Sequence, residues 1–219
     1  MSKHVNIRVR KHKMVIKLRF ALFLLPLLLA TPTSYAEEVK RLESETLDNF
    51  ARRVGPPESE LTHFVIETEA WGHKRTVLAF YETESKISSQ TERKTVGYLF
   101  LSEDANTYQK ILIGTFEPEG GDPQIEAVFF ANADQDKAKE LIVICSWVQR
   151  HYDFSGTFYG IFIFDDLQAG DSRSELSFLE NVSQRVSGDC ECEWRNGKKR
   201  TSRYKTAVSV RAGLRKLGF

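Results

Sequence analysis

The stretch that most constrains the fold is a run of apolar residues near the middle of the chain. In residues 141–148, Leu141 and Trp147 belong to one set of alternate positions and Ile142 and Val148 to the other, and both sets are almost wholly apolar. Successive side chains of a strand point to opposite faces of a sheet, so neither face of this strand can be exposed to water. The stretch therefore predicts a central strand that is covered on both sides.

The remaining sequence predicts a series of strands joined by short turns. Alternating or continuous apolar segments bounded by Gly, Pro, Asn and Asp indicate these strands. The segments are residues 64–70, 76–82, 96–101, 108–116, 125–131 and 157–164, followed by a hairpin over residues 193–204. Asn196 and Gly197 are a strong signal for a type I′ turn in that hairpin. The polar, serine-rich residues 84–94 predict a loop.

An amphipathic helix is predicted near each end of the strand series. Leu47, Phe50 and Val54 recur at helical spacing before Gly55, and a second such pattern occupies residues 206–217. Strands that follow one another through short turns are most simply antiparallel neighbours. The predicted fold is therefore mainly β (α+β): an antiparallel meander that forms a sandwich, a barrel or a partial propeller, with a short helix near each end.

Residues 1–36 have the composition of a secretory signal peptide. Seven Lys or Arg and no acid are followed by an apolar run over residues 20–30, which is shorter than the about 20 residues that a membrane-spanning helix needs. We expect cleavage after Ala36, a single β-rich domain over residues 37–219, and a periplasmic or secreted protein with no stable membrane insertion after leader cleavage. An uncleaved membrane anchor is the alternative.

Charge is distributed unevenly along the chain. Of 31 basic and 30 acidic residues in total, 24 basic and all 30 acidic residues follow the leader, and residues 195–219 contain nine basic and no acidic ones. The acidic body favours a basic partner, and the basic end either contacts phosphates or complements the acidic body. An exported chain seldom meets nucleic acid, so the second interpretation is favoured and no nucleic-acid partner is expected.

Three cysteines, Cys145, Cys190 and Cys192, would all reach an oxidising compartment. Their odd number leaves one free thiol or an intermolecular bridge. Because a bridge between residues two apart is strained in an extended chain, the favoured pairing joins Cys145 to one of the other two. A redox-active pair is the alternative, although thioredoxin-type spacing is absent.

An acidic loop precedes the central strand. Asn132, Asp134 and Asp136 occupy every second position and Glu140 follows, which is a spacing of oxygen ligands that suits a hard cation such as calcium. The alternative is an acidic hairpin loop held by hydrogen bonds between side chains and backbone.

This loop resembles the calcium loops of FG-GAP and VCBS repeats, which occur in integrin heads and many secreted bacterial proteins. Those repeats place D-x-D-x-D-G-x-x-D/E before a strand, and residues 132–140 read N-A-D-Q-D-K-A-K-E. The resemblance implies a calcium site formed by the four side chains and a backbone carbonyl near Ala138, with Lys137 at the position of a left-handed glycine. A weak and mainly structural ion is expected.

Residues 151–159, H-Y-D-F-S-G-T-F-Y, mark the turn after the central strand. They resemble a loop of the periplasmic lysozyme inhibitors of bacteria and of immunity proteins against lysozyme-like effectors, in which a Ser-Gly pair followed closely by Tyr enters the hydrolase cleft. The resemblance implies a partner-binding surface, whereas the alternative is an ordinary β-turn. The residues assigned to this surface are His151, Tyr152, Asp153, Ser155, Gly156 and Tyr159.

No nucleophile-elbow, zincin, Walker or C-x-x-C motif occurs in the sequence, which favours a non-enzymatic role. With the two resemblances, we expect an exported binding protein that inhibits a peptidoglycan hydrolase by inserting the loop from Ser155 to Tyr159. The alternative is a calcium-stabilised adhesion or envelope-assembly module with no inhibitory activity.

Overall fold

Two antiparallel sheets make up most of the structure, a computed structural model that describes residues 35–87, 90–168 and 170–219. The described residues belong to one compact unit. The predicted leader lies outside these ranges except for Tyr35 and Ala36, so its cleavage stays a prediction. Within the same ranges, no helix combines the length and the apolar character needed to cross a membrane.

The first sheet has the strand order β1-β6-β5-β4-β2, and β3 pairs with the same edge of β4 as β2 does. Long β4 and β5 form its centre, and their register is continuous from Thr76 opposite Leu101 to Ile87 opposite Gln90. Its strands are β1 (Glu37–Lys40), β2 (Glu60–Leu61), β3 (Ile66–Ala70), β4 (His73–Ile87), β5 (Gln90–Ser102) and β6 (Thr107–Phe116).

The prediction of a loop over residues 84–94 is wrong for residues 84–87 and 90–94, because β4 and β5 remain paired there, while residues 88–89 lie outside the described residues. The Arg93 guanidinium on β5 lies 3.0 Å from the carboxylate of Glu84 and 3.5 Å from that of Glu82, both on the paired strand β4. Exposed strands of a hairpin need no apolar alternation, since cross-strand charge pairs can stabilise them instead. Polar composition alone therefore does not distinguish the paired outer ends of β4 and β5 from a loop.

The second sheet has the strand order β11-β10-β9-β8-β7. The predicted central strand is β8, which lies between β7 and β9, and its first eight residues are all buried. This confirms the prediction of a strand covered on both faces for residues 141–147, whereas Val148 at its end is 49% exposed. The strands are β7 (Pro123–Ala131), β8 (Glu140–Arg150), β9 (Phe154–Phe164), β10 (Asp189–Trp194) and β11 (Lys199–Arg200).

Three helices lie in the described part of the chain: α1 (Leu47–Val54), α2 (Glu180–Arg185) and α3 (Ala207–Leu217). Thr46 caps α1, and Thr206 begins α3 with a capping box that includes Ser209. The predicted terminal helices are confirmed. Sequence reasoning missed α2, which has only six residues and no side-chain cap.

The two faces of β8 are covered by different parts of the protein. One face, with Val143 and Trp147, packs against the first sheet in a core between the sheets. The other face, with Ile142 and Ile144, packs against residues of α2 and α3. Phe50 of α1 packs on the outer face of the first sheet. The layers are thus helix, sheet, sheet and helices, a sandwich in which neither described sheet closes into a barrel.

The predicted hairpin around Gly197 is confirmed, but its turn is not type I′. Gly197 has a positive φ of +82°, but Asn196 does not have a positive φ. A type I′ turn needs positive φ at both central residues. The Gly197 N–H donates to the Trp194 carbonyl, and the Trp194 N–H donates to the Lys198 carbonyl. These two hydrogen bonds define a turn closed by a glycine bulge.

Candidate functional site

The acidic loop joins β7 to β8 and brings together three of the predicted metal ligands. The Asp134 carboxylate accepts the backbone N–H of Asp136 at 2.9 Å, and the Asp136 carboxylate accepts that of Ala138 at 2.7 Å. These side-chain turns fold the loop back on itself. As a result, carboxylate oxygens of Asp134, Asp136 and Glu140 lie within 4.8 Å of one another, a group that could hold a metal ion.

Glu140 forms the buried base of this cluster. It is the first residue of β8, is fully buried, and accepts the Ala133 N–H through one oxygen, while its Oε1 has no hydrogen-bond partner in the described structure. The pKa of Glu140 is raised to about 7, chiefly by burial and also by the charges of Asp134 and Asp136. A buried carboxylate oxygen without a partner is costly, and a bound cation would compensate it.

Asp166 is an acidic neighbour of this cluster that sequence reasoning missed. β9 ends at Phe164 opposite Leu141, so the next residues of the chain leave the sheet beside Glu140. Asp166 is largely buried, and its pKa is raised first by burial and then by the charges of Asp136, Asp165 and Asp134. The consecutive aspartates are visible in the sequence, but only the strand register places them next to the loop.

The remaining predicted ligands are less directly involved. Asn132 is exposed. Ala138 contacts the loop through its backbone N–H, which donates to the Asp136 carboxylate. The expectation of a left-handed backbone at Lys137 is wrong, because Lys137 does not have a positive φ. The Asx-type turns of Asp134 and Asp136 reverse the chain without a glycine.

A tryptophan from the first sheet holds the acidic loop. Trp71 lies in the turn between β3 and β4, and its indole N–H donates to the Lys139 carbonyl at 2.8 Å. Its ring also packs edge-on against Phe130 of β7, with ring centroids 5.6 Å apart. The loop is therefore anchored to both sheets.

At the other end of β8, the turn into β9 is shorter than the predicted binding loop. The His151 N–H donates to the Phe154 carbonyl at 2.9 Å, which closes a tight turn that contains Tyr152 and Asp153. Tyr152 is 81% exposed at its apex. The Asp153 carbonyl accepts the backbone N–H of Arg195 from the neighbouring hairpin, so two hairpin tips lie side by side.

The other three residues assigned to the binding loop lie inside β9, and the expectation of a loop from Ser155 to Tyr159 is wrong. β9 is paired with β8 on one side and with β10 on the other over these positions. Tyr159 is half-buried against the helical side of the sheet, and burial raises its pKa. Gly156 faces the opposite side, where an added Cβ would lie 2.8 Å from the Cys192 sulfur.

Aromatic rings cluster at this end of the second sheet. His151 stacks on Phe154 with centroids 4.5 Å apart, and Phe154 lies 5.7 Å from Trp194 at the tip of the next hairpin. We call His151, Tyr152, Phe154 and Trp194 the aromatic tip. Beside it is a groove of about 420 Å³. The groove is lined by Glu119, Gln149, Phe154, Phe158, Cys190, Trp194 and Arg200.

The favoured cysteine pairing is wrong: Cys190 is bonded to Cys192, and Cys145 is a buried free thiol. Cys145 lies opposite Gly160 on β9, and β10 is one strand farther away. Two strand spacings are about 10 Å, beyond the about 7 Å that a disulfide spans between Cα atoms. The Cα atoms of Cys190 and Cys192 are 5.4 Å apart, within that range.

The basic C-terminal segment pairs with acidic residues of β10. Lys199 lies 3.2 Å from Glu193, and Lys205 and Arg200 pair with Glu191 and Asp189 in the same way. This geometry favours the interpretation that the basic end complements the acidic body.

No protein-family model, curated protein or solved structure matches the chain. Function is therefore inferred from the geometry at the two ends of β8.

Proposed function

We propose that the chain is an exported, non-enzymatic binding protein whose contact surface is the aromatic tip. The observation that carries the proposal is Tyr152, an 81% exposed tyrosine at the apex of a tight turn, next to the ring contacts of Phe154 with His151 and Trp194. Tyrosine and tryptophan are enriched among the residues that dominate binding energy in protein interfaces, because they bury a large area with few rotatable bonds.

The partner we propose is a peptidoglycan hydrolase, the class that the sequence resemblance implies. A narrow hairpin apex can enter a substrate cleft, and a tyrosine hydroxyl can hydrogen-bond the paired carboxylates that glycosidases use. In the structure, the element free to enter is the turn that contains Tyr152, because Ser155 and Tyr159 are engaged in β9. The net negative charge of the chain after its leader would also favour a basic hydrolase.

Inhibition of peptidoglycan lysis tests this proposal. Purified protein with residues 37–219 is titrated against a panel of lysozymes, and Tyr152→Ala is compared with wild type. We expect Tyr152→Ala to raise the inhibition constant about thirtyfold, the effect of removing a dominant aromatic contact. Phe64→Ala is the matched control, because Phe64 is 75% exposed but lies before β3 in the first sheet.

Equal inhibition by wild type and Tyr152→Ala would place the contact surface elsewhere. Failure of the wild-type protein to inhibit any hydrolase in the panel would reject the partner class. The adhesion or envelope-assembly role would then be the remaining proposal, since it requires the β-rich body without inhibitory activity.

We also propose that the acidic loop binds calcium and that the ion stabilises the fold. The carboxylates of Asp134, Asp136 and Glu140 supply the oxygen ligands that calcium prefers, and Glu140 Oε1 has no hydrogen-bond partner in the described structure. The ion would neutralise repulsion among these carboxylates. Because the loop is fixed to both sheets through β8 and Trp71, holding it closed would stabilise the whole sandwich.

Thermal unfolding in calcium and in chelator tests the ion. At a calcium concentration about 100 times the dissociation constant, we expect a melting temperature about 5–10 °C higher than in chelator. Asp136→Asn should remove most of this difference. Asp104→Asn is the matched control, because Asp104 also accepts backbone N–H groups in a turn but lies between β5 and β6. If calcium does not change the melting temperature of the wild-type protein, the proposal of calcium binding is rejected.

A further inference from the structure

We propose that the Cys190–Cys192 bond is a thiol–disulfide exchange site for dithiol peptides that bind in the adjacent groove. The two sulfurs differ in access. Cys190 is half-buried and lines the groove, whereas Cys192 is 3% exposed and lies against Gly156 of β9. An attacking thiolate would therefore meet the Cys190 sulfur, and Cys192 would be the leaving thiol.

The bond contributes little to holding the chain together. It links residues two apart, and disulfides that close such short loops restrict the unfolded chain least. β10 is held independently, since all six of its residues pair with β9 and its far edge pairs with β11. The bond can therefore open and close while the strand stays in place.

The walls of the groove suit a peptide with apolar side chains. Phe154, Phe158 and Trp194 line the groove, which has a volume of about 420 Å³, and the rings of Phe154 and Trp194 have centroids 5.7 Å apart. Gln149 and Arg200 at its edge can hydrogen-bond a peptide backbone.

The exchange transfers two electrons from the peptide to the protein. A peptide thiolate attacks the Cys190 sulfur, the Cys190–Cys192 bond breaks, and Cys192 leaves as a thiolate that takes up a proton. The second peptide thiolate then attacks the peptide sulfur of the mixed disulfide, and Cys190 leaves as a thiolate. The products are a peptide disulfide and a protein dithiol.

Cys145 takes no part in this chemistry. Its side chain is fully buried between the sheets, and burial raises its pKa to about 12, so the reactive thiolate is not available at neutral pH. This makes Cys145→Ser a control that removes the third cysteine without changing the exchange site.

The test uses the oxidised protein, residues 37–219, and a short reduced peptide with two cysteines separated by phenylalanine and leucine. A second peptide carries serine in place of those apolar residues. After acid quenching, alkylation and mass spectrometry count the thiols on each component, while circular dichroism monitors the sheets. We expect two thiols to appear on the protein for each peptide disulfide formed, with unchanged circular dichroism.

The apolar peptide should react about tenfold faster than the serine peptide, and Trp194→Ala should remove most of that advantage. A peptide with serine in place of its second cysteine should stop at a mixed disulfide with Cys190 of the oxidised protein, and Cys145→Ser should react at the wild-type rate. The proposal is overturned if the bond is reduced only in denaturant, or if both peptides react at the rate of free glutathione. The first result would mean that the bond does not exchange in the folded protein, and the second that the groove does not recognise the peptide.

Discussion

Glu45 is the residue whose ionisation the structure ties most clearly to stability. Its carboxylate accepts two hydrogen bonds from Arg53 of α1, at 2.8 and 2.7 Å, and a third from the Leu42 N–H. The hydrogen bonds from Arg53 lower the pKa of Glu45 to about 2 from its ordinary 4.5. The folded state thus favours the ionised form, so this stability is present above pH 4.5 and is lost as the pH falls toward 2.

We predict that Glu45→Gln lowers the free energy of unfolding by about 1 kcal/mol at pH 7 and by almost nothing near pH 2. The figure is smaller than the pKa change alone implies, because the Arg53 side chain is 40% exposed and water screens the pair. Urea unfolding at a series of pH values measures the difference. Glu38→Gln, which removes an exposed carboxylate 3.7 Å from Lys40, is the control and should have a smaller effect. A pH-independent loss in Glu45→Gln would contradict the prediction.

The candidate site shows which residues a sequence can and cannot identify. Asp134, Asp136 and Glu140 were predictable because their spacing within one loop brings them together. Asp166 was not, because its proximity depends on the register of β8 with β9. The cysteine pairing was mispredicted for a related reason, since the distance from Cys145 to β10 depends on how many strands lie between them.

At the scale of elements, Trp71 links the two sheets through an unfavourable turn. Trp71 has φ +49° and is followed by Gly72 at +82°, as a two-residue hairpin turn requires. A left-handed conformation costs a non-glycine residue about 1–2 kcal/mol. Its indole hydrogen bond to the Lys139 carbonyl and its packing on Phe130 offset that cost.

We predict that Trp71→Phe lowers the free energy of unfolding by about 1 kcal/mol, the contribution of one hydrogen bond, because phenylalanine keeps an aromatic ring but cannot donate. Trp71→Gly should be less stable still, although glycine relieves the turn. Urea unfolding measures both variants. Trp194→Phe, at the far end of the second sheet, is the control. A Trp71→Gly protein as stable as wild type would contradict the prediction, because the relieved turn strain would then fully offset the lost anchor.

Element predictions succeeded where burial dictates the pattern and failed where it does not. β8 was predictable because a strand covered on both faces must be apolar throughout, and α3 because one face packs on the sheet. The ribbon formed by the outer ends of β4 and β5 was missed, since exposed strands can be wholly polar. The six-residue α2 was missed because one and a half turns are too short to establish a period.

At the scale of the whole molecule, the two candidate sites lie at opposite ends of one strand. β8 begins with Glu140 in the acidic loop and ends with Arg150 next to the aromatic tip. Its eleven residues span about 33 Å at the usual rise per residue. A cation at one end therefore cannot contact a partner at the other, and its effect on binding would have to pass through the stability of the sandwich.

We therefore predict that calcium removal changes stability without changing recognition. Chelator should lower the melting temperature by about 5–10 °C. At a temperature well below both melting transitions, it should leave the inhibition constant for a responsive hydrolase within about twofold. The physical reason is that β8 separates the two sites and is paired on both sides, with its first eight residues buried, so we expect no rearrangement of β8 when the loop changes. Titrations in calcium and in chelator measure this directly, with Asp136→Asn as a variant that lacks the calcium response. A tenfold weaker inhibition by fully folded protein in chelator would instead mean that the two ends are coupled.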